Sequence, residues 1–190
     1  MLGLSFWQLF STGLVASSNS LVKAGPMIVK INFSKKSLVI ASAGQAMISF
    51  LIQFIVVCIL FICYQIAPDI KILLVPLLLI PLMLLTLGFG LILSIINGVM
   101  RDIANLLSIL MTFLMFLTPV LYVKPATGVL SELTNYNLLY YLVSAPRDLI
   151  LTGTISEWKG FLIASAISFI VFITCLVAFH LTETRVAERI

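Results

Sequence analysis

The sequence predicts an all-α integral membrane fold of about five transmembrane helices, with a re-entrant helical pair on the outer side before the last span. Three observations lead there. The 190-residue chain is 62% hydrophobic and 9% charged, with mean hydropathy +1.22, whereas soluble domains carry about 25% charged residues. Residues 1–22, 37–68, 72–100, 103–123, 133–146 and 160–182 contain no Asp, Glu, Lys or Arg. Crossing the hydrocarbon core takes roughly 20 apolar residues, so five of these six runs suffice and 133–146 does not.

The first span is placed at about 4–22. The run lacks a basic leader and carries Trp7 and Gln8, so it reads as a retained helix rather than a signal peptide. Its Ser, Thr, Asn and Gln content makes it the least hydrophobic of the five, which favours protein neighbours or a pore over lipid. Phe6, Trp7 and Phe10 suit an aromatic belt at the outer interface.

Residues 23–37, KAGPMIVKINFSKKS, hold four lysines and no acid. Asn19 or Ser20 would cap a short helix here, with Pro26 in its first turn. Met27, Ile28 and Ile31 then form an apolar patch beside Lys30. The connector reads equally as a topology anchor and as a docking element.

The second span, about 40–65, carries Gln45, Ser49 and Gln53 at spacings of four, hence on one helix face. Such a stripe faces other helices or a hydrated path. Residues 67–71 make a tight outer turn into the third span, about 72–96, where Pro76 and Pro81 bend one half and Gly88 and Gly90 allow close packing of the other. Arg101 and Asp102 sit in the next turn. The fourth span, about 104–121, ends where Pro119 stops the helix. Residues 122–157, with Tyr122, Tyr136, Tyr140, Tyr141, Pro125 and Pro146, read as two short helices dipping into the outer leaflet, because irregular backbone at that depth must be shielded by protein or face a cavity. The fifth span, about 160–181, leads to a short mixed-charge tail. The whole chain, 1–190, is one membrane domain.

Basic residues collect on the cytoplasmic side of short loops. With the 23–37 connector inside, seven basic residues (Lys23, Lys30, Lys35, Lys36, Arg101, Arg185, Arg189) lie inside and four (Lys71, Lys124, Arg147, Lys159) outside. This puts the C-terminus in the cytoplasm and the N-terminus outside.

No nucleotide-binding GxxxxGK[ST] loop, HExxH or GxSxG occurs, and the span interiors hold no Asp, Glu, Lys or Arg. Cys58, Cys63 and Cys175 lie in apolar runs and read as small packed hydrophobes, and His180 as an interfacial residue. No bound cofactor is expected, and no nucleic-acid partner. The pattern fits the membrane half of a machine powered by another subunit.

In order, FWQLFSTGLVASSNSLVKAGPMIVKINFSKK, NGVMRDIANLL, FLMFLTPVLYV, NLLYYLVSAPRDLILTG and FHLTETRVAERI resemble the permease subunit of ABC exporters for polysaccharides, the family of O-antigen, capsule and teichoic-acid exporters. The resemblance implies a homodimeric, multi-pass permease of the bacterial inner membrane that moves a lipid-linked glycan, with ATP-Mg bound and hydrolysed on a separate cytoplasmic subunit. It implies that Lys30, Asn32, Phe33 and Lys35, with Arg101 and Asp102, meet that subunit. The glycan path would take Phe6, Trp7, Phe10, Gln45, Ser49, Gln53 and Tyr122, the aromatic rings stacking on sugar faces or serving as interfacial belt. The sequence departs from the family at Ser34 and Leu138, where Pro is common, and at its front, where an amphipathic helix and one further span are missing. A truncated or internally started form, inserting but supporting little export, is the corresponding expectation. A membrane scaffold that moves nothing is the alternative function. An integral membrane enzyme lacks any acid or histidine cluster in the spans.

Overall fold

The computed structural model describes residues 1–28, 34–65, 70–120, 122, 124 and 128–186. In chain order the helices are α1 (Leu2–Ile28), α2 (Lys35–Cys63), α3 (Val75–Val99), α4 (Ile103–Leu117), α5 (Val129–Tyr136), α6 (Leu138–Thr152) and α7 (Trp158–Val186), with a 3₁₀ turn, Ile70–Leu74, leading into α3. Among the described residues there is no strand.

Side-chain contacts fix how these helices run. Lys71 donates to the carbonyl of Gly153 at 2.7 Å, Arg147 reaches the carbonyl of Pro119, and Lys124 pairs with Glu157 at 2.8 Å. The starts of α3 and α7, the end of α4 and the whole of α6 therefore share one end of the bundle. At the opposite end Lys36 Nζ lies 2.9 Å from His180 Nδ1, and Asn97 reaches Asn19 and Ala104. Successive long helices thus alternate in direction, and the segment from 118 to 157 leaves and returns at the same end.

Helices α1 and α3 form the centre. Phe6, Leu9 and Leu14 of α1 meet Leu78, Leu82 and Leu85 of α3, Phe50 of α2, Leu142 and Val143 of α6 and Phe161 of α7 in the main core. Leu21, Val39, Leu91 and Phe179 form a second cluster toward the opposite end. Small residues let the backbones approach. A Cβ at Gly90 would stand 2.6 Å from Ser17 Cβ, and one at Gly88 3.0 Å from the Cα of Phe172. Buried hydroxyls turn back onto their own helices, Thr86 to Leu82 O and Ser168 to Ala164 O at 2.8 Å, which satisfies them without water. Among the described residues every buried side-chain nitrogen and oxygen has a partner.

The outward faces of α2 and α7 carry Ile48, Ile52, Ile55, Ile59, Phe169 and Ile170, all exposed. Among the described residues three stretches, Lys35–Cys63, Lys71–Val99 and Trp158–Thr182, are long and apolar enough to cross a membrane. Helix α1, at 27 residues, has the length but a more polar surface. Helix α4 has 15 residues, about 22 Å of rise, short of the roughly 30 Å hydrocarbon core.

Several boundaries differ from the sequence expectation. Helix α1 does not stop at residue 22 but continues to Ile28, so Asn19 and Ser20 cap nothing. Asn19 instead donates to Val15 O and Ser20 to Ser17 O, bonds made inside a continuous helix. Helix α4 ends at Leu117 rather than 121, because the residue before a proline avoids the helical region; Thr118 is extended at φ −94°, ψ 126°. Pro81 stands inside α3 without dividing it, and Pro76 occupies its first turn, where the missing N–H is harmless. Two short helices do form between 122 and 157. Asn137 separates them, ending α5 and capping α6 by accepting from Leu139 N at 3.0 Å. Gly153, at φ 69°, closes α6 in the left-handed conformation that glycine adopts without strain.

Candidate functional site

Helix α1 is buried on the side that meets α3 and open on the other. The open side carries Gln8, Thr12 and Lys23, all exposed, with Ser11, Ala16 and Asn19 between them. Helices α2 and α4 flank it. Toward α4 lies a cleft of about 540 Å³ lined by Gln8, Ser11, Thr12, Asn19, Lys23, Ser108 and Thr112 together with Trp7, Met111 and Met115. Toward α2 lies one of about 400 Å³ lined by Gln8, Thr12, Lys23, Gln45, Ser49 and Gln53. The two clefts share Gln8, Thr12, Ala16 and Lys23, so they form one polar face along α1. Gln53 Nε2 donates to Gln8 Oε1 at 3.0 Å across the α1–α2 side.

The chemistry of this face is specific in one respect. Its amides and hydroxyls donate and accept without charge, and Lys23 is the charged residue lining both clefts. A polar face of this kind on a helix among apolar neighbours calls for water, a polar ligand or another protein surface, not lipid. On the far side of α4 a third cleft, about 540 Å³, is apolar, lined by Leu85, Phe89, Leu93, Leu107, Leu110 and Leu114 among others. Met111 belongs to both the polar and the apolar cleft, so α4 is the partition between them.

Both ends of α4, the wall of the polar face, are held by hydrogen bonds. Near Lys23, the buried Asn97 donates to Ser18 O at 3.0 Å and Asn19 Oδ1 at 3.2 Å and accepts from Ala104 N at 3.2 Å. At the other end Asn137 donates to Thr118 Oγ1 at 2.8 Å. Beyond it, Lys124 bonds Glu157 and lies 5.0 Å over the Tyr140 ring. Burial first, then the Glu157 and Asp148 carboxylates, push the Tyr140 phenol up to about 12.

The residues expected from the sequence separate into three groups. Gln45, Ser49 and Gln53 gather on the polar face with Trp7, which is buried yet lines the α4 side. Phe6 and Phe10 are enclosed in the core, Phe6 with its ring 5.7 Å from that of Phe50, and their faces meet side chains. Tyr122 lies apart, its hydroxyl donated to Phe116 O at 3.0 Å. Of the residues expected to meet an ATPase, Lys30, Asn32 and Phe33 lie outside the described residues. Lys35 is buried at the first residue of α2, whereas Arg101 and Asp102 are exposed in the α3–α4 turn. Sequence reasoning did not assign Gln8, Thr12, Asn19 and Lys23, or Ser108 and Thr112, to the face. Residues 8, 12, 19 and 23, like 108 and 112, recur at helical spacing, but on α1 the buried Ser5, Ser17, Ser18 and Ser20 spread polar residues over the other faces and hide the stripe.

A profile of the ABC-2 type transporter family matches residues 1–151. Two proteins of Klebsiella pneumoniae, each an O-antigen export system permease protein RfbA, are 26% and 25% identical over 192 and 191 residues, covering 98% of this chain and 72% of theirs. A Myxococcus xanthus protein of the same description is 27% identical over 120 residues, 63% of this chain and 46% of that protein.

Proposed function

The chain belongs to the ABC-2 type transporter family of membrane permeases, and from that premise we propose that it is the membrane half of an ATP-driven exporter of a lipid-linked polysaccharide. Family and apolar helices together make it a multi-pass membrane protein. The observation that carries the finer reading is the open polar face of α1. A hydroxylated glycan needs many neutral donors and acceptors and few charges, and Gln8, Thr12, Gln45, Gln53, Ser108 and Thr112 supply that set. A second copy of the chain, placed against this face, would enclose a polar path and keep lipid out of it. The names of the Klebsiella and Myxococcus relatives support polysaccharide as the cargo.

In this reading the bundle end that carries Lys23, Lys36, Arg101 and His180 faces the cytoplasm of a bacterium, across its inner membrane. The ABC ATPase, with ATP-Mg bound to it, docks there on the 23–37 connector and the Arg101–Asp102 turn. The α5–α6 segment lies in the outer leaflet as a re-entrant pair, α1 and α4 complete five spans, and the tail is cytoplasmic. Hydrolysis on the partner would change the spacing of the two copies, and this chain would supply surface rather than chemical groups.

The test is export itself. Cells in which Gln8→Leu and Thr12→Val replace the face should keep the protein in the membrane, lose most surface glycan and accumulate it inside, as read by surface immunolabelling and lipid extraction. Surface glycan unchanged by these substitutions and by deletion of the gene would favour the scaffold reading.

A further inference from the structure

We propose that Asn97 is a positioning residue that ties the α4 wall of the polar cleft to α1, and so links the position of the Arg101–Asp102 turn to the width of that cleft. The inference rests on the transport reading for its purpose, although its geometry stands alone. Asn97 is 1% exposed, near the end of α3. Its carboxamide uses both N–H groups on α1, at Ser18 O and Asn19 Oδ1, and its oxygen accepts the amide of Ala104 in the first turn of α4. That amide is one of the helix-start donors with no partner in its own helix. A single side chain on α3 thus holds the two helices that wall the cleft.

The surroundings explain why this tie governs movement rather than packing. Helices α1 and α3 are locked by close contacts at Gly90–Ser17 and Gly13–Thr86, so they move as one body. Helix α4 is thinly held, with Leu107 and Met111 the buried members of its 15 residues. Its far end is secured by the Asn137–Thr118 bond and the Arg147 contact with Pro119 O. Its near end begins directly after the exposed Arg101 and Asp102. A push on that turn reaches α1 through Asn97, and without Asn97 it moves α4 alone.

Two substitutions cut the tie while sparing the fold. Ala104→Pro removes the α4 donor at a first-turn position where proline is tolerated. Asn97→Leu keeps the shape and removes all three bonds. Proteoliposomes holding the chain and its cognate ATPase, loaded with radiolabelled lipid-linked glycan extracted from the same cells, give glycan moved per ATP hydrolysed. Both variants are expected to lower that ratio about fivefold, the shift one net hydrogen bond carries, with ATP turnover near that of the unsubstituted protein and a melting temperature lower by only the few degrees that the unpaired buried groups cost. Spin labels at Ala16 and Ser108, across the cleft, in a background with Cys58, Cys63 and Cys175 replaced by alanine, should show a broader distance distribution in both. An unchanged ratio and distance, or equal falls in hydrolysis and transport with a lower melting temperature, would overturn the proposal. If the unsubstituted protein moves no glycan, the transport reading fails, while the label distances, which need no substrate, still decide the role of Asn97.

Discussion

Replacing glycine by alanine at two positions in this bundle should have unequal effects, and the difference isolates one contact. At Gly90 the new Cβ would stand 2.6 Å from Ser17 Cβ and 3.1 Å from its Oγ, where ordinary contact begins at 3.4 Å. The closest approach is therefore short by about 0.8 Å. Both atoms are β-carbons fixed to helix backbones, so no rotamer change relieves the overlap and α1 must part from α3. Overpacking of this kind costs about 1–3 kcal/mol. Alanine also favours the helix by about 0.8–1 kcal/mol over glycine, which leaves Gly90→Ala near neutral at best and about 2 kcal/mol destabilised at worst. At Gly44, exposed in the middle of α2, nothing lies within 4 Å, so the same change keeps the propensity gain with no clash. The propensity contribution is common to both and cancels in the comparison. The Gly44→Ala protein should therefore melt above the Gly90→Ala protein by the clash alone, about 2–12 °C at roughly 2–4 °C per kcal/mol for a chain of this length. Melting in detergent, followed as the monodisperse fraction after heating, reads this directly. Ser17→Gly in the Gly90→Ala protein removes the obstructing carbon and should restore part of the loss, with a coupling of about 0.5–3 kcal/mol. A Gly90→Ala protein as stable as the Gly44→Ala protein would show that α1 and α3 are not in the contact described.

Two further outcomes are expected. A cysteine at the exposed Ser34, in a background without the native cysteines, should react with a membrane-impermeant thiol reagent only after cells are opened, while cysteines at Lys124 and Lys159 should both react in intact cells. Reaction of Ser34→Cys in intact cells would reverse the proposed orientation, and opposite behaviour at 124 and 159 would break the same-end return of α5–α6. The raised Tyr140 phenol implies a loss of stability between about pH 10 and pH 12, because the unfolded chain releases this proton first while the fold still holds it. Tyr140→Phe should move the alkaline unfolding midpoint upward, and an unmoved midpoint refutes the assignment.

Much of this arrangement is legible in the sequence, and the failures have identifiable causes. Uncharged runs locate the helices because lipid tolerates little else, and Pro119 announces the end of α4. The α1 boundary was missed because the end of an apolar run is not the end of a helix. The helix continues past Lys23 to Ile28, and nothing in the chemistry of lysine stops it. The stripe at Gln45, Ser49 and Gln53 was readable since the residues between and after them are apolar. On α1 the polar residues lie all round the helix, and only packing against α3 decides that Ser17, Ser18 and Ser20 are buried while Gln8 and Thr12 stay open. Asn97 has no feature in the sequence that singles it out. Its partners on α1 lie 78 and 79 positions away, a pairing that no local pattern encodes.

The central place of α1 has a consequence in time. Chains are made from the N-terminus at about 5–20 residues per second, and α3 is finished at Val99, about 70 residues after α1 ends at Ile28. For roughly 4–14 s of synthesis the serines that later lie against α3 have no such neighbour. Helix α2 is made sooner and can cover α1 in that interval, with Gln53 closing onto Gln8. Released singly into lipid, α1 would present the Gln8 amide to hydrocarbon, where an unsatisfied group costs several kcal/mol, while the hydroxyls of Thr12, Ser18 and Ser20 stay bonded to carbonyls of the same helix. Pairing with α2 gives α1 a polar partner long before α3 is made.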